Sequence, residues 1–149
     1  MNPLFFIVSF FLPLTHLIGL TSEEIAKRAF PASVILVLFD ENGEAVKSGS
    51  GFFISPDLVA TNYHVVANTY GGVVKSLGNS MINKIEKVEA VDSTFDLALL
   101  RTERPSDATL ELGDSGNHNI GQLVFVVGNP QGLEGTFSSG LVSSIRRFG

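Results

Sequence analysis

The 149-residue sequence has no cysteine, which excludes a disulfide framework, a cysteine-based zinc site and a cysteine nucleophile within these residues. It also lacks any concentration of positive charge. The net charge is -5, and the neighbouring cations Lys27 and Arg28, Lys84 and Lys87, Arg146 and Arg147 are scattered along the chain, so no nucleic-acid partner is expected. Histidine is scarce, with three in the chain. His16 and His118 have no acidic or cysteine partner at ligand spacing, and neither a metal nor any other cofactor is expected. Internal repeats and low-complexity linkers are absent, so no second independently folding domain is indicated.

What is present is a globular composition, 44% hydrophobic and 17% charged with 15 glycines, and few apolar patterns of helical length, which leans toward an all-β fold. Residues 1–20 are strongly apolar from Leu4 to Leu12, then broken by Pro13, Thr15 and His16. This matches a secretory h-region, although no Lys or Arg precedes it and Gly19 is the nearest small residue at a plausible cleavage point. Export with cleavage is the preferred expectation, and an uncleaved anchor, the only membrane contact foreseen, is the competitor. Residues 21–30 read as a short lead-in helix, N-capped by Ser22 and stopped before Pro31.

Beyond the helix the apolar period changes to that of strands. The expected strands are Val34 to Phe39, Gly51 to Ile54, Leu58 to Thr61, Val73 to Leu77, Ile85 to Val91 and Leu97 to Arg101, with turns at 40–43, 55–57 and 92–94 and a short helical turn from Tyr63 to Ala67. Five or six short strands at close spacing suggest a small antiparallel barrel, since closure removes exposed edges. Gln122 to Val127, a tight loop at 128–132, and Thr136 to Ile145 add two strands.

Two residues carry candidate chemistry. His64, at a strand end among apolar neighbours, reads from its local sequence either as a general base or as a core histidine bonding a backbone carbonyl. Asp96, between Phe95 and an apolar strand, is a carboxylate whose burial needs a partner, and an imidazole that becomes charged during catalysis is such a partner. Asp92 is its rival, but it reads as a solvated turn residue.

Gly49-Ser50-Gly51-Phe52-Phe53-Ile54, Leu58-Val59-Ala60-Thr61-Asn62-Tyr63-His64-Val65-Val66, Asp96-Leu97-Ala98-Leu99-Leu100, Val126-Val127-Gly128-Asn129-Pro130-Gln131-Gly132 and Ser139-Gly140-Leu141-Val142-Ser143 occur in that order. Together they resemble the trypsin-fold serine proteases, specifically the bacterial HtrA (Deg) group, over roughly residues 31 to 147, with 32 residues separating His64 from Asp96. The resemblance implies the first barrel and the opening strands of the second barrel of a trypsin-like double β-barrel within residues 31–149. It further implies polypeptide substrates, His64 as general base, Asp96 as its orienting carboxylate, and Gly49, Gly51, Gly128, Gly132 and Gly140 as backbone-conformation glycines. The missing cysteine fits the bacterial branch.

The nucleophile is the departure. The family places it in a Gly-Asn-Ser-Gly-Gly or Gly-Asp-Ser-Gly-Gly segment of the second barrel. The one match here, Gly113-Asp114-Ser115-Gly116, continues with Asn117 and precedes the strand that leads to Gly128, so Ser115 reads as a turn residue. Ser138, Ser139, Ser143 and Ser144 read as strand-face serines. The expectation is therefore an incomplete chain whose nucleophile lies beyond Gly149, the alternative being a non-catalytic single-barrel binding module. An incomplete second barrel is expected to expose Leu123, Phe125 and Phe137.

Overall fold

Strand β1 (Ser33–Phe39) turns its alternate residues Val34, Leu36 and Leu38 to one side, as the two-residue side-chain period of a strand requires. In the computed structural model, which describes residues 19–114, 116, 119–128 and 135–146, that side is the interior of a closed antiparallel barrel. The other strands are β2 (Ala45–Ser55), β3 (Leu58–Thr61), β4 (Gly71–Ser76), β5 (Ile82–Asp92) and β6 (Leu97–Thr102), in the order β1-β2-β3-β6-β5-β4. Phe53, Val59, Val65, Val66, Val74, Ala98 and Leu100 complete the core. A separate antiparallel pair follows, β7 (Leu123–Gly128) with β8 (Thr136–Leu141). The all-β expectation holds, down to one barrel followed by two strands of another sheet.

Local chemistry explains the turns. At the β1–β2 corner the Asp40 carboxylate accepts from the backbone N–H groups of Asn42 and Glu44, both at 2.9 Å, and Gly43 takes φ +81. The Glu44 N–H is the main reason that the Asp40 carboxyl titrates below its ordinary value. At the opposite side of the barrel Arg101 on β6 binds Asp57 of the β2–β3 turn and, at 2.8 Å, Glu89 on β5, tying three elements together.

Several boundaries differ from expectation; β8, for one, ends at Leu141 instead of Ile145, which leaves Ser143 and Ser144 outside the strand. β2 begins six residues before the apolar stretch that announced it, because its first half has no buried residue and is held by backbone pairing to β1, such as Val37 with Ser48, instead of by burial. β5 is likewise longer and mostly exposed. Helix α1 (Ser22–Ala32) is capped by Thr21, whose hydroxyl accepts from the Glu24 N–H while the Glu24 carboxylate accepts from Thr21 N–H at 2.8 Å, a reciprocal capping box. The helix runs through Pro31 because the Ser33 N–H catches the carbonyls of Ala29 and Phe30 behind it.

Phe125 and Phe137 also differ from expectation. They are half-buried, stacked on each other at 5.2 Å, and Phe137 meets Phe30 of α1 at 6.3 Å. Leu123 is exposed as anticipated. The helix thus braces the second sheet against the barrel, leaving a largely apolar cleft of about 590 Å³ whose lining includes Ile25, Asn62, Leu97, Leu110, Phe125 and Phe137. Residues 1–18, most of the apolar leader, lie outside the described residues, and among the described residues no helix is long and apolar enough to cross a membrane.

Candidate active site

Strand register is what brings the two candidate residues together. β3 pairs antiparallel with β6, with Thr61 opposite Ala98, so the residues just after Thr61 lie beside those just before Ala98. His64 and Asp96 fall in those two short segments.

After Thr61 the chain enters the single helical turn α2 (Tyr63–Val66). Val65 and Val66 are buried in the barrel core and anchor the turn, which leaves the intervening face, and with it His64, pointing outward. Two devices hold the turn in place. Lys47 on β2 donates its ammonium protons to the carbonyls of Ala67, at 2.6 Å, and His64, at 3.2 Å. Gly49, also on β2, makes room: a Cβ there would stand 2.6 and 2.8 Å from the two methyls of Val65.

Gly49 and Gly51 are therefore required for close approach, Gly51 because a Cβ would meet the Ala60 carbonyl oxygen at 2.8 Å, and neither has a left-handed backbone. Gly140 has open space and Gly128 only ordinary contact, while Gly132 lies outside the described residues. Because valine is stiff at χ1 and buried here, Gly49→Ala is expected to cost about 1–3 kcal/mol by overpacking, whereas Gly140→Ala stays within about 0.5 kcal/mol. Urea unfolding of both variants checks the contrast; equal midpoints would contradict it.

Asp96 sits with φ +54, in the left-handed region that asparagine and aspartate tolerate best among non-glycine residues. Its backbone carbonyl accepts from the N–H of Tyr63 and from the side-chain amide of Asn62, both at 3.1 Å. Its carboxylate accepts from the His64 backbone N–H at 2.8 Å through one oxygen and pairs with His64 Nδ1 at 2.6 Å through the other. A carboxylate at Nδ1 selects the tautomer with the proton on that nitrogen, which leaves Nε2 with its lone pair. The His64 side chain is 69% exposed, so the core-histidine alternative does not hold.

Asp96 was expected to be buried, yet its side chain is 42% exposed. Hydrogen bonding governs its charge: the His64 backbone N–H, then the His64 ring, hold its carboxyl below the usual carboxylate value against a smaller opposing effect of desolvation. A carboxyl so lowered contributes to the folded state above its unfolded pKa, and that contribution is lost as pH falls through the lowered value. In a ¹³C carboxyl titration Asp96 is expected to protonate at lower pH than an aspartate in an unstructured peptide. His64→Ala keeps the backbone donor and should reverse only part of the difference; a complete reversal would show that the backbone bond is not the leading cause.

Asp92 serves its turn, accepting from the N–H groups of Thr94 and Phe95 at 2.9 and 3.0 Å. Ser138 and Ser139 are exposed on β8. Ser115 lies outside the described residues. Among the described residues no group of three histidine, cysteine, aspartate or glutamate side chains is arranged to hold a metal ion. Lys47 and Asn62 were not singled out as site residues, since lysine and asparagine at strand and turn positions have many unrelated uses, although Asn62 lies in the block that carries His64; Gly49 was marked only as a backbone glycine.

The family model of the trypsin-like peptidase domain matches residues 49–148. The chain is 39% identical over 108 residues to a probable periplasmic serine endoprotease DegP-like of Rickettsia conorii, covering 70% of this chain and 21% of that protein. It is 35% identical over 130 residues to the protein of the same description in Rickettsia prowazekii, covering 85% of this chain and 25% of that protein. It is also 35% identical over 132 residues to serine protease HTRA1B of Danio rerio, covering 85% of this chain and 27% of that protein. In each case the matched region is little more than a quarter of the relative's length, or less.

Proposed function

The chain belongs to the trypsin-like peptidase family, in its HtrA (DegP-like) group, and we propose that it carries the base and orienting carboxylate of a serine endopeptidase. The observation that carries the proposal is the 2.6 Å contact between His64 Nδ1 and Asp96, with Nε2 left as an acceptor on an exposed ring. Nε2 takes the proton of a serine hydroxyl as its oxygen attacks a peptide carbonyl carbon. Asp96 stabilises the imidazolium that forms, and the imidazolium then protonates the leaving amine, giving an acyl-enzyme that water hydrolyses by the same steps.

The serine is supplied by a Gly-x-Ser-Gly-Gly segment encoded beyond residue 149, which also brings the oxyanion hole. The apolar cleft between the barrel and the second sheet is where the rest of that sheet's barrel packs. Substrates are polypeptides. The apolar leader and the similarity to probable periplasmic endoproteases of Rickettsia support export of the protein, with residues 1–20 removed as a signal peptide.

A second reading, a non-catalytic single-barrel binding module, is favoured by one observation: the barrel closes within strands β1 to β6 around its own core. Sequencing the parent reading frame past codon 149 and treating the longer product with a fluorophosphonate probe separates the two. A Gly-x-Ser-Gly-Gly segment and covalent labelling are expected; a natural stop in an intact locus, with no such segment, would favour the module.

A further inference from the structure

Asn62 occupies the N-cap position of α2, where asparagine ordinarily turns its side-chain oxygen back to accept from the helix's own N–H groups. It makes no such bond. Its amide N–H₂ instead reaches across to the backbone carbonyl of Asp96 at 3.1 Å. The capping is done from the other segment: Asp96 accepts from the Tyr63 N–H with its carbonyl and from the His64 N–H with its carboxylate. Consecutive residues 62, 63 and 64 therefore all donate to one left-handed aspartate.

We propose that Asn62 is a positioning residue for the His64–Asp96 pair: its amide, bonded to the Asp96 carbonyl, holds that residue at φ +54 so that the carboxylate meets Nδ1. The left-handed conformation is disfavoured for a residue with a side chain, so it persists only where surrounding bonds over-determine it. Asn62 and Tyr63 are the two donors on the Asp96 carbonyl. Without Asn62 that carbonyl keeps one donor, the backbone is freer to relax toward the extended region, and the carboxylate swings away from the ring. Behind the His64 backbone N–H and ring, the same amide also adds to the effects that lower the Asp96 carboxyl. The inference rests on His64 and Asp96 acting as base and orienter.

The test is the tautomer of His64 in the ¹⁵N-labelled 149-residue chain, read from the ¹⁵N shifts of its two ring nitrogens with the imidazole neutral. In the wild type the Nδ1–H form is expected to predominate, and Asp96→Asn should abolish that preference. Asn62→Ala should shift the ratio toward Nε2–H by roughly five- to tenfold, about the worth of one hydrogen bond, with the amide shifts of Val34, Leu36 and Leu100 unchanged. Asn62→Leu, which is close in size, uncharged and without a donor, should do the same, and it carries the test should the alanine variant fail to fold. A wild-type ratio in a folded Asn62 variant would overturn the positioning role alone. A wild type with no Nδ1–H preference would overturn the base and orienter reading beneath it.

Discussion

Replacing His64 with alanine, in the protein extended to include its nucleophile segment, is expected to lower the rate of acyl transfer by about 10⁴-fold or more and to abolish fluorophosphonate labelling on the usual time scale. Asp96→Asn should cost about as much, for a more specific reason. An asparagine amide can donate to Nδ1, which drives the ring proton to Nε2 and removes the acceptor that the serine hydroxyl needs. The loss is one of proton placement, since the variant keeps the shape of the side chain. Asp92→Asn is the matched control. Its Oδ1 continues to accept from Thr94 and Phe95, and activity should stay within about twofold, as for a surface substitution that breaks no bond. Stopped-assay hydrolysis of an unfolded protein substrate checks the series. Retained activity in His64→Ala would remove the proposed general base.

The second large effect concerns the barrel that holds these residues. Phe53 is 1% exposed, is the largest fully buried side chain among the described residues, and sits opposite Val59 in the β2–β3 pair. Phe53→Ala is expected to destabilise the protein by about 3–5 kcal/mol, combining lost transfer energy with an unfilled cavity. Against a total stability of about 5–15 kcal/mol for a domain, that is enough to leave a measurable unfolded population. Because β3 leads directly into Asn62 and His64, the same variant should weaken the Nδ1–H preference of His64, linking core packing to the site. Val91→Ala, at an exposed position on β5, should stay within about 0.5 kcal/mol. Urea unfolding followed by circular dichroism gives both values, and similar losses at the two positions would contradict the assignment of the core.

The strands that were legible in the sequence are those whose apolar residues face a core, such as Val34 to Phe39 and Leu58 to Thr61. The ones read too short, β2 and β5, are held by hydrogen bonds to neighbouring strands while their side chains meet water. Backbone pairing leaves no mark in the pattern of hydrophobicity, because every residue type but proline offers the same two groups. The N-cap expected at Ser22 lies one residue earlier, at Thr21, since both are competent caps and only the path of the chain chooses between them.

At the site the division falls differently. His64 and Asp96 were singled out as candidates by residue type together with the resemblance of the ordered blocks, the local sequence of His64 leaving two readings open, while Asp92 was set apart as a turn residue by its immediate neighbours. What required the tertiary structure was everything that depends on two segments meeting. The register of Thr61 with Ala98 brings the pair together, the left-handed backbone of Asp96 aims the carboxylate, and Asn62, Lys47 and Gly49 hold α2 in place. The absence of cysteine, with which the sequence excludes disulfides and a thiol nucleophile, settles what these residues do without. Which carbonyl an asparagine amide finds is decided only when strands far apart in the chain are brought side by side, since a hydrogen bond is a property of positions in space.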